Sequence, residues 1–406
     1  MPTQFIETLI IGGGQAGLTM SHMLSKRGRP HLVLERHGIA ARWRTERWDG
    51  LRFQFPNWSV RLPDFPFRHT DPDGFATSGA IADFIAAYAD FIEAPVSQGV
   101  NVTALRRDGG GFIAQTSSGP IAAANVVIST GPFQRPDIPA WLPDSLGMFQ
   151  VHANGYRDPD QLPGGAVLVV GAGASGAQIA EELLRAGRRV YLSIGHHRRM
   201  PRRYRGRDFI WWLSALGMDQ IPADRRGADQ SPVLITGAHG GHTIDFRRFA
   251  TEGMVLLGRA EAAVDGVMHF GANLQDSLAH GDAALTGFLN AADAHVIRAG
   301  LDFPEDPEAR TVTPGPPALA NPPTRLDLRA AGIGAVIWAT GYRFDLGWLD
   351  VPVLDDHGAP RHRLGVTEIP GLYFLGLSWL SGATSSFLSG AGNDAARLAA
   401  HIAARV

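Results

Sequence analysis

The sequence predicts an α/β protein of two Rossmann-like, parallel-sheet domains, the second inserted into the first. Three features carry this: a strand–glycine–helix unit at residues 8–35, a second such unit at 167–187, and a return to strand-like segments after residue 333. At 406 residues the chain exceeds what one hydrophobic core usually holds, so two domains are expected. The boundaries drawn from the sequence are 1–157 with 333–406 for the first domain and 158–332 for the second.

In the first unit the strand Thr8-Leu9-Ile10-Ile11 runs into Gly12-Gly13-Gly14-Gln15-Ala16-Gly17 and then a helix. Gly12, Gly14 and Gly17 fit G-x-G-x-x-G: one glycine for the tight turn, one for close approach to a pyrophosphate, one for helix–strand packing. The helix N-terminus offers its free N–H groups to phosphate. A second strand, Leu32-Val33-Leu34, ends in Glu35, 18 residues beyond Gly17, where a carboxylate can accept both hydroxyls of an adenosine ribose and repel a 2′-phosphate. This site is built for FAD or NAD(H).

Arg36 opens a stretch through Trp43 to Arg52 that is too rich in Trp, Arg and Gly for regular structure; it either covers a cofactor or fills core. A proline-punctuated loop follows through Pro56-Asn57-Trp58 to Phe67. Helical periodicity runs from Ser78, the expected N-cap, to Ile92, with Ile81, Phe84, Ile85 and Tyr88 on one face. Strands are expected at 100–102, 112–114 and 124–129, the last ending in Ser129-Thr130-Gly131-Pro132. Pro139 to Pro163, with four prolines, reads as an inter-domain linker.

The opening pattern then returns: Val167-Leu168-Val169-Val170, Gly171-Ala172-Gly173-Ala174-Ser175-Gly176, and a helix ending at Gly187. Gly17 to Gly28 and Gly176 to Gly187 are both eleven apart. In that register the counterpart of Glu35 is Ile194, followed by His196, His197, Arg198 and Arg199. No acid stands there to repel a 2′-phosphate, and guanidinium groups can bind one. FAD is therefore expected at the first site and NADPH at the second.

Further on, Arg202 to Arg207 reads as a solvated face, Phe209 to Leu213 as helix core, and His239-Gly240-Gly241-His242 as a turn rather than a metal site. Another helix is expected at 278–297. Ala335 to Trp338 is a strand ending in Ala339-Thr340-Gly341-Tyr342, an echo of Ser129-Thr130-Gly131. Leu372 to Gly376 is a strand and Gly390 to Ala404 a helix; together they close the first domain.

Composition narrows the function. A net charge of -2 gives no general attraction to nucleic acid or an anionic membrane, and no apolar run is long enough to span a bilayer. Met1-Pro2-Thr3-Gln4 has no basic region, so no signal peptide is expected and the cytoplasm is the default. Cys is absent, which removes disulfides, thiolate metal sites and thiol catalysis. Lys26 is the single lysine among 37 basic residues, so arginine clusters carry little weight by themselves.

These motifs, in this order, resemble the flavin-containing monooxygenase family, which includes the Baeyer–Villiger enzymes. Its fingerprint F-x-G-x-x-x-H, with an aromatic or proline four residues on, is matched at His152 and Tyr156; Leu146 and Met148 stand where Phe and Gly belong, with Gly147 one place early. The resemblance implies a FAD domain interrupted by an NADPH domain, with Gly12, Gly14, Gln15, Ala16, Gly17, Glu35, Arg36, Trp43, Val102, Thr130, Gly131, Gly171, Gly173, Ser175, Gly176, Arg198, Arg199, Thr340, Gly341 and Gly376 holding the cofactors. It implies reduction of FAD by NADPH, reaction with O2 to a C4a-hydroperoxide, and oxygen transfer to a small organic substrate at S or N, or alternatively Baeyer–Villiger oxidation or decarboxylation of a 2-oxo acid. The resemblance implies that Asn57 is the asparagine the family carries beside the flavin, a catalytic donor to the peroxide; the other reading is a turn cap. Trp58, Trp211, Trp212 and Trp379 are candidates for an apolar pocket. An electron-transfer reductase and a redox regulator are the competing classes. No metal, nucleic acid or membrane partner is expected, and a homodimer is an allowed assembly.

Overall fold

The computed structural model describes residues 4–142 and 147–405. The fingerprint position Leu146 and residues 1–3 lie outside the described residues.

The first sheet grows from the strand Gln4–Ile11, which pairs in parallel with His31–Glu35 on one side and Ile121–Ile128 on the other. Val96–Gln98 extends it beyond His31–Glu35, and Leu372–Phe374 pairs in parallel with the second half of Ile121–Ile128. Leu9, Ile10, Val126 and Val127 are fully buried, as expected of central parallel strands covered on both faces. The antiparallel strands Val102–Asp108 and Gly111–Thr116 form an appended ribbon. Helix Gln15–Ser25 and the C-terminal helix Ala391–Ala403 cover the sheet through one core that includes Met20, Leu24, Ala395, Leu398 and Ile402.

The second sheet repeats this plan. Ala166–Val170 pairs in parallel with Val190–Ser193 and with Ile333–Trp338; Val255–Leu257 and Phe149–His152 complete it, one at each edge. Each sheet thus has five parallel strands with its glycine-motif strand in the middle, and the second takes the edge strand Phe149–His152 from before the boundary at 158. Three expectations change. Pro139 to Pro163 is not simply a linker, because Phe149–His152 is a strand of the second sheet. The strand ending in Ala339-Thr340 belongs to the second sheet rather than the first. The segment 149–152 and the strand 333–338 accordingly pair with the domain placed at 158–332.

The resemblance between the two Thr-Gly turns now has a cause. Each follows the strand beside a glycine-motif strand: Ser129 N–H donates to Ile11 O at 2.8 Å, and Ala339 N–H to Val170 O at 2.8 Å. Gly12 and Gly171 sit at φ +110° and +98°, where a Cβ would meet Ser129 O at 2.7 Å and Ala339 O at 2.5 Å. At Gly17 and Gly176 a Cβ would lie 1.9 Å from Gly12 O and Gly171 O, so helix and turn pack this closely only through glycine.

The helix expected from Ser78 is Ser78–Phe91, but its N-cap is Thr77, whose hydroxyl accepts from Ala80 N–H at 3.0 Å. Ile81, Phe84, Ile85 and Tyr88 are buried as predicted. The helix expected at 278–297 runs from Leu274 to Ala299. The basic run is not a solvated face throughout: Arg202 is fully buried in a salt bridge to Asp208, and its NH1 donates to Gln54 O at 2.8 Å. Trp212 is core, its indole N–H donating to Tyr204 O at 3.0 Å. His239 to His242 is a turn, with His242 Nε2 2.9 Å from a Glu181 carboxylate oxygen; no cluster able to hold a metal occurs among the described residues.

Candidate active site

A cavity of about 850 Å³ opens at the carboxyl ends of the first sheet's parallel strands, where Rossmann-type folds bind ligands. Gly12, Gly14, Gln15 and Ala16 line it, together with Glu35, Arg36, Trp43, Val102, Thr130, Gly131 and Gly376. Ser175, from the first turn of the second motif's helix, lines the same cavity with Ala174 and Gln178. The first glycine turn and the start of the second motif's helix therefore border one space.

The residues fit two dinucleotides. Helices Gln15–Ser25 and Ala174–Arg185 both start at a glycine and have no side-chain cap, leaving their first-turn N–H groups open to phosphate. Nothing stands within 4 Å of where a Cβ would be on Gly14 or Gly131, so backbone there faces free space at the cavity wall. The Glu35 carboxylate accepts from Gly13 N–H at 2.8 Å and from His37 N–H at 3.0 Å, fixing its place beside the turn. Its counterpart Ile194 is fully buried, and Ser193 Oγ is used within the fold, donating to Gly258 O at 2.9 Å.

Other predicted residues lie outside the lining. Gly17, Gly171, Gly173 and Gly176 shape the turns. Thr340 and Gly341 tie the domains together: the Thr340 hydroxyl donates to Asp137 O, and Gly341 O accepts from His152 Nε2–H at 2.9 Å. Burial holds the His152 ring below the usual histidine range, and its Nδ1 lies 3.0 Å from Asn154 Oδ1 and 3.2 Å from Asn154 N. The neighbouring Tyr342 is what reaches the cavity, with its ring 4.9 Å from that of His152.

Three expectations are corrected. Arg199 is buried between Asp245 and Asp282, at 2.8 and 3.2 Å, and has no free face for a phosphate. Arg198 forms no ion pair among the described residues; its Nε donates to Ser231 O at 3.0 Å. Asn57 does not reach the cavity: its amide nitrogen donates to Asp71 O at 2.8 Å inside a turn, and its Oδ1 is buried without a partner. Of the four tryptophans named as pocket candidates none lines the cavity; Trp43, Trp48 and Trp348 do.

Apart from Trp43, the sequence did not single out the cavity's aromatic wall. Trp43, Phe53, Phe55 and Phe387 form an edge-to-face chain with centroids 5.7, 5.3 and 5.1 Å apart. Gln54, Gln178 and Ser386 set polar groups among them. The one signal for Phe387 was its position just before the helix expected from Gly390, which closes the first domain.

Comparison with known proteins agrees with this architecture. The profile of the pyridine nucleotide-disulphide oxidoreductase family matches residues 9–221. An uncharacterized CzcO-like oxidoreductase of Geobacillus kaustophilus is 32% identical over 96% of both chains. The probable indole-3-pyruvate monooxygenase YUCCA1 of Arabidopsis thaliana is 31% identical, over 46% of each. Among solved structures, a flavin-containing monooxygenase from Stenotrophomonas maltophilia superposes with a TM-score of 0.69 over 99% of both chains at 17% identity, which shows a shared fold. With a profile spanning more than half its length and a full-length relative above 30% identity, this chain belongs to the pyridine nucleotide-disulphide oxidoreductase family, as a flavoprotein oxidoreductase with FAD and NADPH as its cofactors.

Proposed function

We propose that the protein is a monooxygenase that uses FAD and NADPH to insert one atom of O2 into a small organic substrate, at sulfur or nitrogen. The observation that carries this is one cavity shared by the first glycine turn, the start of the second motif's helix at Ala174 and Ser175, and an aromatic wall. Bound FAD, reduced by NADPH, supplies the electrons that place one oxygen atom in the substrate and the other in water. The chain's residues supply the rest. Gly14 and Gly131 admit the cofactor's backbone-facing groups, and the uncapped helix ends favour its phosphates. Phe53, Phe55 and Phe387 exclude water from the reacting region, and Arg202 holds that wall in place through Gln54 O. The chain has no cysteine, so a dithiol relay is ruled out although disulfide reductases share the fold.

A second reading, oxidative decarboxylation of a 2-oxo acid, has support in the likeness to indole-3-pyruvate monooxygenases over less than half the chain. Both readings are tested by incubation with NADPH and ¹⁸O2 over thioethers, amines, indoles, ketones and 2-oxo acids, followed by mass spectrometry. A labelled S- or N-oxide supports the first reading. A labelled acid one carbon shorter than its 2-oxo acid replaces it with the second, and a labelled ester with Baeyer–Villiger oxidation. NADPH consumption with no label in any product would favour an electron-transfer reductase.

A further inference from the structure

Arg47 stands apart among the arginines of the cavity. Arg42 pairs with Glu46 at 3.1 Å and caps the carbonyls of Phe133 and Gln134, while Arg36 is exposed. Arg47 has no carboxylate partner among the described residues. Of its five N–H groups one is committed, from NH1 to Glu46 O at 2.7 Å. Its guanidinium carbon lies 5.1 Å from the Trp43 ring centre, and Arg47 lines the cavity beside Trp43 and Tyr342. Burial lowers its affinity for the proton it carries, so the charge is held at a cost.

The backbone around it is fixed. Arg157 donates to the carbonyls of both Thr45 and Arg47 and accepts from Asp49 N–H, so the segment from Thr45 to Asp49 is bracketed from the inter-domain connection. A charged fork on an anchored backbone, with free donors facing a cavity, matches the geometry of an anion site.

We propose that Arg47 binds a phosphate oxygen of a dinucleotide in this cavity. Two sources share that chemistry, the pyrophosphates of FAD and of NADPH. The inference rests on the assignment of the cavity to these cofactors and is independent of the reaction carried out there.

The test uses the full-length holoprotein with Arg47→Ala, Arg47→Met and Arg47→Lys. Arg47→Met keeps the stem over Trp43 if the alanine variant folds poorly. Flavin absorbance per protein after dialysis against chaotropic salt reports FAD retention, and fluorescence titration with NADP⁺ reports the second site. The expected result is a loss of about 10- to 100-fold in affinity for one dinucleotide in the Ala and Met variants, with substantial recovery in Lys. Loss of FAD alone assigns Arg47 to the FAD pyrophosphate; loss of NADP⁺ affinity alone assigns it to that of NADPH. If both affinities stay within twofold of wild type, the proposal is overturned, and it is equally overturned if only the KM of an acidic substrate rises. A wild-type protein that purifies without flavin would instead contradict the cofactor assignment.

Discussion

Glu35 joins turn and ligand in one carboxylate: both oxygens accept backbone N–H groups, from Gly13 and His37, while the side chain faces the cavity. Glu35→Ala is expected to purify with most of its FAD lost, read as the ratio of flavin to protein absorbance; full retention would remove Glu35 from the site. For the second site the two neighbouring arginines separate. Arg198→Ala is expected to reduce the NADPH over NADH preference in kcat/KM about tenfold, the worth of one charge-assisted contact. Arg199→Ala is expected to leave the preference unchanged but to destabilise by about 3 kcal/mol, because it removes the cationic partner of the buried Asp245, while Asp282 keeps Arg247. Asn57→Ala is expected to lower stability by about 1 kcal/mol and leave peroxide release during turnover unchanged; a rise in H2O2 per NADPH would return Asn57 to the chemistry. Glycine and acid spacings were legible because a dinucleotide turn is local. The partners of Arg199 were not, since Asp245 and Asp282 lie on distant segments with no shared period.

The two glycine-motif units behave as repeated elements, and they can be tested separately. A Cβ at Gly176 would lie 1.9 Å from Gly171 O, so Gly176→Ala must push helix from turn, at a typical overpacking cost of about 1–3 kcal/mol. That variant is expected to keep FAD and to lose NADP⁺ binding in fluorescence titration; undiminished NADP⁺ affinity would show that the second turn does not hold the nucleotide. Both units could be read from sequence, together with the amphipathic Ser78–Phe91. The strand Phe149–His152 could not, because four residues between prolines carry too little pattern and its partner Ile333–Trp338 lies almost two hundred residues away. For the same reason Ile333–Trp338 was recognised as a strand but assigned to the first sheet. The aromatic wall was hidden likewise: Phe53 and Phe55 meet Phe387 only through the closure of the first domain by the chain's last part.

At the scale of the molecule, the domains are joined where Glu182, on the second domain's helix, meets the segment around Gly50. Burial, reinforced by Asp158 and Asp49 and opposed by the hydrogen bond from Tyr156 OH at 3.0 Å, pushes the Glu182 carboxyl up to about 6. The folded state thus binds this proton more tightly than the unfolded chain, so the contribution is full below about 4.5 and is lost as pH rises through about 6. Glu182→Gln is expected to flatten the fall in melting temperature between pH 4.5 and 6.5; an unchanged slope would place the titration elsewhere. Helix Ala174–Arg185, which carries Glu182, also brings Ala174 and Ser175 to the cavity of the first glycine turn, and on that convergence the proposed reaction depends. The most direct measurement is anaerobic rapid mixing of the yellow protein with stoichiometric NADPH, followed by flavin absorbance. The arrangement predicts full bleaching of the flavin and recovery of colour when O2 is admitted. Persistence of the oxidised spectrum, with NADPH shown to be bound, would contradict it.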